Sequence, residues 1–176
     1  FCNTGKNTPI HLRIKKVYPY LEDDSEFILI NSDTIFQFNL NIMHKTHLKN
    51  QYDITLSSVP VTSPWGIITT KESNVVGFER NLKVNNLGII NDQKVRGEVY
   101  SGLCIIKKSC LDSFNWEGCF DFETELFNKY IKNGKVGQFP INGTWYPIDT
   151  PKHLEAINKN ISNILGDKGD KYFQIK

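Results

Sequence analysis

The chain has 176 residues, with 21 Lys and Arg against 19 Asp and Glu, a net charge of +2 that is too balanced for a dedicated nucleic-acid binder. With 39% hydrophobic, 12% aromatic and 23% charged residues it falls in the globular range, and one compact domain is expected. Its longest apolar runs, Phe27–Ile30 and Leu103–Ile106, are far shorter than the roughly 20 residues a membrane-crossing helix needs, so no membrane association is expected.

From Pro9 to Leu21, Ile10, Ile14, Val17 and Leu21 recur at helical spacing around Arg13, Lys15 and Lys16, predicting an amphipathic helix that ends near Tyr18-Pro19. Phe27–Ile30 is apolar without alternation, which predicts a strand buried on both faces of a parallel sheet and ending at Asn31-Ser32-Asp33. Asn39–Asn50 reads as a short helix, and Asp53–Val59 as a strand broken by Pro60 and by Pro64-Trp65-Gly66. Gly66–Thr70 and Val75–Phe78 form a hairpin around Lys71–Asn74, followed by a loop rich in Asn and Gly.

Val99–Lys107 is an apolar strand entered through Ser101-Gly102. Phe122–Asn133 is helical, with an apolar face of Leu126, Phe127, Tyr130 and Ile131 and a stop at Gly134. Val136–Pro140 is a strand, and Thr150-Pro151 opens a last helix running to about Ile164. The implied class is α/β, a Rossmann-like mixed, mainly parallel sheet with flanking helices and a small antiparallel hairpin region. Residues 1–165 form the domain and 166–176 a flexible tail.

Cys2, Cys104, Cys110 and Cys119 lack paired zinc spacing and read as reduced thiols of a cytoplasmic protein. His44 and His47 read as surface or packing histidines. Asp33 is the stronger chemical signal, because ligands of open α/β sheets gather past the carboxyl ends of strands; Asn31-Ser32-Asp33 equally suits the cap of a following helix. Asp149 arrives through the aromatic segment Thr144-Trp145-Tyr146-Pro147 at the mouth of the last helix, where it too has a cap as its alternative.

Taken in order, these segments resemble the sugar-1-phosphate nucleotidyltransferases, most closely the glucose-1-phosphate cytidylyltransferase branch. The resemblance rests on Thr4-Gly5-Lys6-Asn7-Thr8 leading to Arg13, Asn31-Ser32-Asp33, His44-Lys45, Trp65-Gly66 and Phe78-Glu79-Arg80. Gly102 before an apolar strand, Phe122-Glu123-Thr124-Glu125-Leu126, and the stretch Trp145, Pro147, Asp149 and Thr150 complete it, to about Ile161. It implies an enzyme that joins a nucleoside triphosphate to a sugar 1-phosphate, giving a nucleotide sugar for cell-surface polysaccharide and pyrophosphate. Asp33 and Asp149 would be catalytic and hold Mg²⁺. Thr8, Arg13 and Ser32 would bind the nucleotide, and Arg80, Gly102, Glu123, Tyr100 and Trp145 the sugar phosphate. For Gly102 a strand bulge, and for Tyr100 and Trp145 plain core packing, are the alternatives.

Two departures accompany the resemblance. The family's glycine-rich phosphate loop precedes the segment matched by this chain, so an N-terminally incomplete fold is expected, completed by a further N-terminal segment or accompanied by homo-oligomerisation. His11-Leu12 stand where the cytidylyltransferase pattern has two glycines, which leaves CTP as the favoured but crowded base. The alternatives are a non-catalytic or split binding module of this fold and a relative acting on a phosphorylated alcohol such as phosphocholine.

Overall fold

The computed structural model describes residues 1–21, 25–62, 67–71, 73–79, 83–84, 86–90, 93–96 and 98–165. Trp65-Gly66, Arg80 and the 166–176 tail therefore lie outside the described residues.

Helix α1 (Ile10–Val17) runs into a 3-10 turn over Tyr18–Leu21 and buries Ile14. Strand β1 (Glu26–Ile30) is followed directly by a second strand, β2 (Thr34–Gln37), before α2 (Leu40–Lys49). The helix-cap alternative for Asp33 is thereby corrected. The cap of α2 is Asn39, whose side chain accepts the Ile42 N–H at 3.2 Å, and Asp33 sits in the β1–β2 turn. β3 (Ile54–Thr62) continues through Pro60, which pairs with Glu98 near the strand's end. The hairpin β4 (Ile67–Lys71) and β5 (Asn74–Glu79) forms as expected. The region expected as an irregular loop carries the short strands β6 (Lys83–Val84), β7 (Asn86–Ile90) and β8 (Gln93–Arg96). β9 (Glu98–Lys107), α3 (Phe122–Ile131), β10 (Val136–Pro140), β11 (Thr144–Pro147) and α4 (Pro151–Leu165) complete the order.

The main sheet has the order β1-β9-β3-β10. β9 is antiparallel to both β1 and β3, and β3 is parallel to β10. Hence β1, β3 and β10 all point one way, and the sheet is mainly parallel in direction, with β9 and the short β6 beside β3 reversed. The carboxyl ends of those three strands share one edge of the molecule.

Burial follows from β9. Its Cys104 and Ile106 join Ile14, Leu111, Phe114, Phe122, Leu126 and Phe127 on the α1/α3 face, while Leu103 and Ile105 join Met43 of α2 and Phe36, Phe38 and Phe139 on the other. A strand buried on both faces has no polar side to show, which is why Leu103–Ile106 of β9 is continuously apolar. β1 does not share that environment. Phe27 and Leu29 pack on the α1/α3 core, but Ile28 and Ile30 remain 46% and 52% exposed, correcting the expectation of two-sided burial. The physical reason is that, among the described residues, β1 pairs on one edge alone, with β9.

Candidate active site

Asp33 and Asp149 are far apart in sequence and adjacent in space because β2 and β11 form an antiparallel ladder. Trp145 is opposite Phe36 and Pro147 opposite Thr34, and the Thr144 hydroxyl donates to Gln37 Oε1 at 2.9 Å. One step past the ladder, the Ile148 N–H donates to the Asp33 carbonyl at 2.8 Å. The two acidic residues thus sit at the same end of one short ribbon, both exposed, beyond the carboxyl end of β1. Gly143 permits the approach, since a Cβ there would lie 1.7 Å from the Gln37 carbonyl oxygen.

The ribbon is fastened to β9. The Trp145 indole donates to the Ser101 carbonyl at 2.9 Å, and the Asn31 N–H donates to the Gly102 carbonyl at 2.8 Å. Gly102 has φ +86°, and an added Cβ would meet Asn31 Nδ2 at 2.7 Å. It lies in a bulge where β9 has more residues than β3 between the pairs Leu56–Cys104 and Ser58–Tyr100. Its geometry therefore has a structural reason of its own, in agreement with the bulge alternative. Asn31, Ser101, Gly102 and Trp145 together form a platform from which Asp33 and Asp149 project.

Arg13 and Ser32 line one groove of about 690 Å³ between α1 and β1, with Thr4, Ile28, Ile30 and Asn31. Arg13 is already engaged there. Its Nε donates to the Thr8 carbonyl at 2.7 Å, Nη1 to Thr4 Oγ1 at 3.3 Å and Nη2 to the Lys6 carbonyl at 2.9 Å. Thr8 Oγ1 in turn donates to the Thr4 carbonyl at 2.5 Å. These bonds fold residues 4–8 against α1 and use three of the five guanidinium N–H groups, leaving two for a ligand.

Tyr100 and Glu123 belong to the α3 side. Tyr100 packs edge-on against Phe127 with ring centroids 5.5 Å apart, and its hydroxyl donates to Cys104 Sγ at 3.4 Å. Burial pushes the Tyr100 phenol up, and it pushes the Cys104 thiol up to about 12. These contacts pack Tyr100 against the α3 side, and it also borders a groove with Ser58 and Gln138. Glu123 is half-buried in the first turn of α3, and burial, then the neighbouring charge of Asp121, raises its carboxyl above the usual 4.5.

Three polar groupings were not nominated as site residues from the sequence. Ser58 Oγ donates to Glu98 Oε2 at 2.6 Å and Gln138 Nε2 to the same oxygen at 2.8 Å, beside a groove of about 360 Å³. Glu26 lies between His44 and His47; His47 is fully buried, shares a hydrogen bond with Thr55 Oγ1 at 2.8 Å, and has its pKa lowered by burial. His153 accepts the Asp149 N–H, and its position three residues after the Thr150 cap is the one sequence signal that marks it. Among the described residues no group of three or more His, Cys, Asp or Glu is placed to hold a metal by itself, and all four cysteines are free. No described helix is long and apolar enough to cross a membrane.

No family model matches the chain. Single relatives do. Over 159 residues it is 26% identical to a probable glucose-1-phosphate cytidylyltransferase of Bacillus subtilis (strain 168), covering 90% of this chain and 58% of that protein. It is 23% identical over 154 residues to the D-glycero-alpha-D-manno-heptose 1-phosphate guanylyltransferase of Aneurinibacillus thermoaerophilus, covering 86% of this chain and 62% of the relative. The chain is related to the sugar-1-phosphate nucleotidyltransferases. It spans about three fifths of the length of these two curated relatives. The fold agrees with the family. A putative glucose-1-phosphate thymidylyltransferase from Bacillus anthracis superposes with a TM-score of 0.61 at 14% identity, over 88% of this chain and 61% of that one. HddC from Yersinia pseudotuberculosis gives 0.59 at 20% identity, over 89% and 64%.

Proposed function

We propose that this chain is the metal- and sugar-phosphate-binding part of a nucleotidyltransferase that transfers a nucleotidyl group to a sugar 1-phosphate. A phosphate oxygen of the sugar 1-phosphate attacks the α-phosphorus of a nucleoside triphosphate, the bond to the β-phosphate breaks, and pyrophosphate leaves. The observation that carries this reading is the bond from Ile148 to Asp33, which holds two carboxylates at the end of one ribbon.

Two exposed carboxylates without a third ligand suit Mg²⁺, which binds through one or two carboxylates and fills its shell with phosphate and water. Asp33 and Asp149 would hold it, and bound there it would neutralise charge on the phosphate oxygens of the nucleotide. The protein's own part is alignment, because phosphoryl-type transfer needs little covalent help. The Trp145–Ser101 and Asn31–Gly102 bonds keep the ribbon and β9 in register beneath the reacting groups. Ser32 and Arg13 line the groove in which the nucleotide would lie, with Thr8 shaping the loop beside it. Arg80 would bind the sugar phosphate and Glu123 the sugar hydroxyls, with Gly102 as the surface against which the sugar rests. Among the bases CTP is our first choice, in line with the cytidylyltransferase relative, although guanylyltransferases match as well.

The test is pyrophosphate release from CTP, GTP and TTP, each with a panel of sugar 1-phosphates and Mg²⁺, in the chain together with any segment that precedes it. Asp33→Asn and Asp149→Asn are each expected to lower kcat by roughly 10²–10³-fold or more, the scale of losing one charge-stabilising group, with unfolding unchanged. Near-normal turnover in both variants refutes the assignment.

A further inference from the structure

We propose that His153 is a positioning residue for Asp149, setting the direction of that carboxylate toward the metal; this rests on the metal-binding reading of Asp33 and Asp149 above. The connection between Pro147, where β11 ends, and Pro151, where α4 begins, is three residues long and has Asp149 at its centre. Its first N–H, that of Ile148, goes to the Asp33 carbonyl. The next, on Asp149, has no ladder or helix partner and donates to Nδ1 of His153 at 3.2 Å. To accept there, the neutral imidazole carries its proton on Nε2.

The main chain at His153 is held in the first turn of α4, and its ring packs on one side against Tyr146. The His153 N–H donates to Thr150 Oγ1 at 3.2 Å, and the Leu154 N–H to the Thr150 carbonyl at 3.1 Å. From β11, Tyr146 meets the imidazole edge to face with centroids 6.1 Å apart and an interplanar angle of 70°, and its hydroxyl donates to the His153 carbonyl at 3.3 Å. The pattern is that of a capping box moved one residue toward the N-terminus. The cap, Thr150, receives the His153 N–H, but the returning side chain bonds the residue before the cap rather than the cap itself. Starting the helix requires only Thr150. The bond from Asp149 to His153 is therefore surplus to capping, and what it fixes is the main chain from which the carboxylate departs. With residue 148 tied to Asp33 and residue 149 tied to His153, both acids stand on restrained backbone.

The experiment uses the full chain and Mn²⁺ alone as the probe. Amide exchange at residue 149 reads the tether, and paramagnetic broadening of the Asp33 and Asp149 amides reads the metal site. His153→Leu removes the acceptor at similar volume, whereas His153→Asn places a carbonyl oxygen where Nδ1 stood. The leucine variant is expected to speed exchange at residue 149 and to weaken Mn²⁺ roughly tenfold, the lower range for residues that orient metal ligands, and the asparagine variant to restore both. Should the leucine variant fail to fold by circular dichroism, His153→Gln, whose carbonyl reaches the Nε2 position instead, replaces it. Unchanged exchange at residue 149 in the variant lacking the acceptor overturns the proposal, as does faster exchange with undiminished Mn²⁺ binding. Absence of Mn²⁺ broadening in the unsubstituted chain overturns the metal reading itself, and the positioning role with it.

Discussion

Replacing Gly102 with alanine separates two roles assigned to one residue. At φ +86° an L side chain is strained by roughly 1–2 kcal/mol. The new Cβ would also lie 2.7 Å from Asn31 Nδ2 and 3.1 Å from both Cβ and Cγ of the same side chain, so Asn31 must move. Moving it threatens the 2.8 Å bond from the Asn31 N–H to the Gly102 carbonyl, worth about 1 kcal/mol. The expected total is about 2–3 kcal/mol, a large share of the ~5–15 kcal/mol stability of an ordinary domain. Urea unfolding followed by tryptophan fluorescence measures it, with Trp145 reporting locally through its bond to Ser101. In an Asn31→Gly background the contact part vanishes and the backbone part remains, so the Gly102→Ala penalty should shrink by about 1 kcal/mol without disappearing. A change within about 0.5 kcal/mol of the parent would refute the reasoning, because that is the scale of a surface substitution with no strain attached. Since this cost arises without any sugar, loss of turnover in Gly102→Ala alone assigns Gly102 no contact with substrate.

Leu126→Ala, at a fully buried position between α3 and β9, is expected to cost about 2–5 kcal/mol in the same urea assay; a cost near zero would mean that the α3 face is not packed as described. Glu123 binds its proton more tightly folded than unfolded, so its contribution to stability is present below pH 4.5 and is lost as pH rises through the folded value. Glu123→Gln should remove that part of the slope between pH 4.5 and neutrality and leave the protein at least as stable at pH 7; an unaltered pH–stability curve counts against burial of the carboxyl. Thiol titration with an aromatic disulfide at pH 8 should modify exposed Cys2 quickly and Cys104 and Cys110 only on unfolding, since burial both shields those two thiols and raises their pKa. Rapid modification of Cys104 or Cys110 in the native state would contradict the packing around β9.

Elements whose burial leaves a period in the sequence were legible. α1 and α3 show apolar spacing, α2 is bracketed by Asn39 and Asn50 as cap residues, and β9 is continuously apolar over Leu103–Ile106, where both of its faces are covered. β2 and β11 were not legible as strands, and the reason is visible in their burial. All four residues of each are intermediate, so neither alternation nor a continuous apolar run marks them. Ile28 and Ile30 misled in the opposite way, since an apolar run predicts burial on two faces only when the strand has neighbours on both edges.

The same distinction governs the candidate site. Asp33 was marked by its place after a strand, and Asp149 by the Thr150-Pro151 helix start, both local features that a sequence carries directly. What joins them is the β2–β11 ribbon, and its pairing depends on Gly143 having no side chain to collide with the Gln37 carbonyl and on Trp145 reaching Ser101. Those are contacts between residues far apart in the chain, with no spacing rule to reveal them. Glu123 and Tyr100 illustrate the same point. Each sits at a position that the resemblance connects with the sugar, and no spacing in the sequence shows that Tyr100 packs on Phe127 and Cys104 or that Glu123 is half-buried at the start of α3. Position relative to an element is therefore enough to nominate an acid, while the partner it works with follows only from the ribbon that places them together.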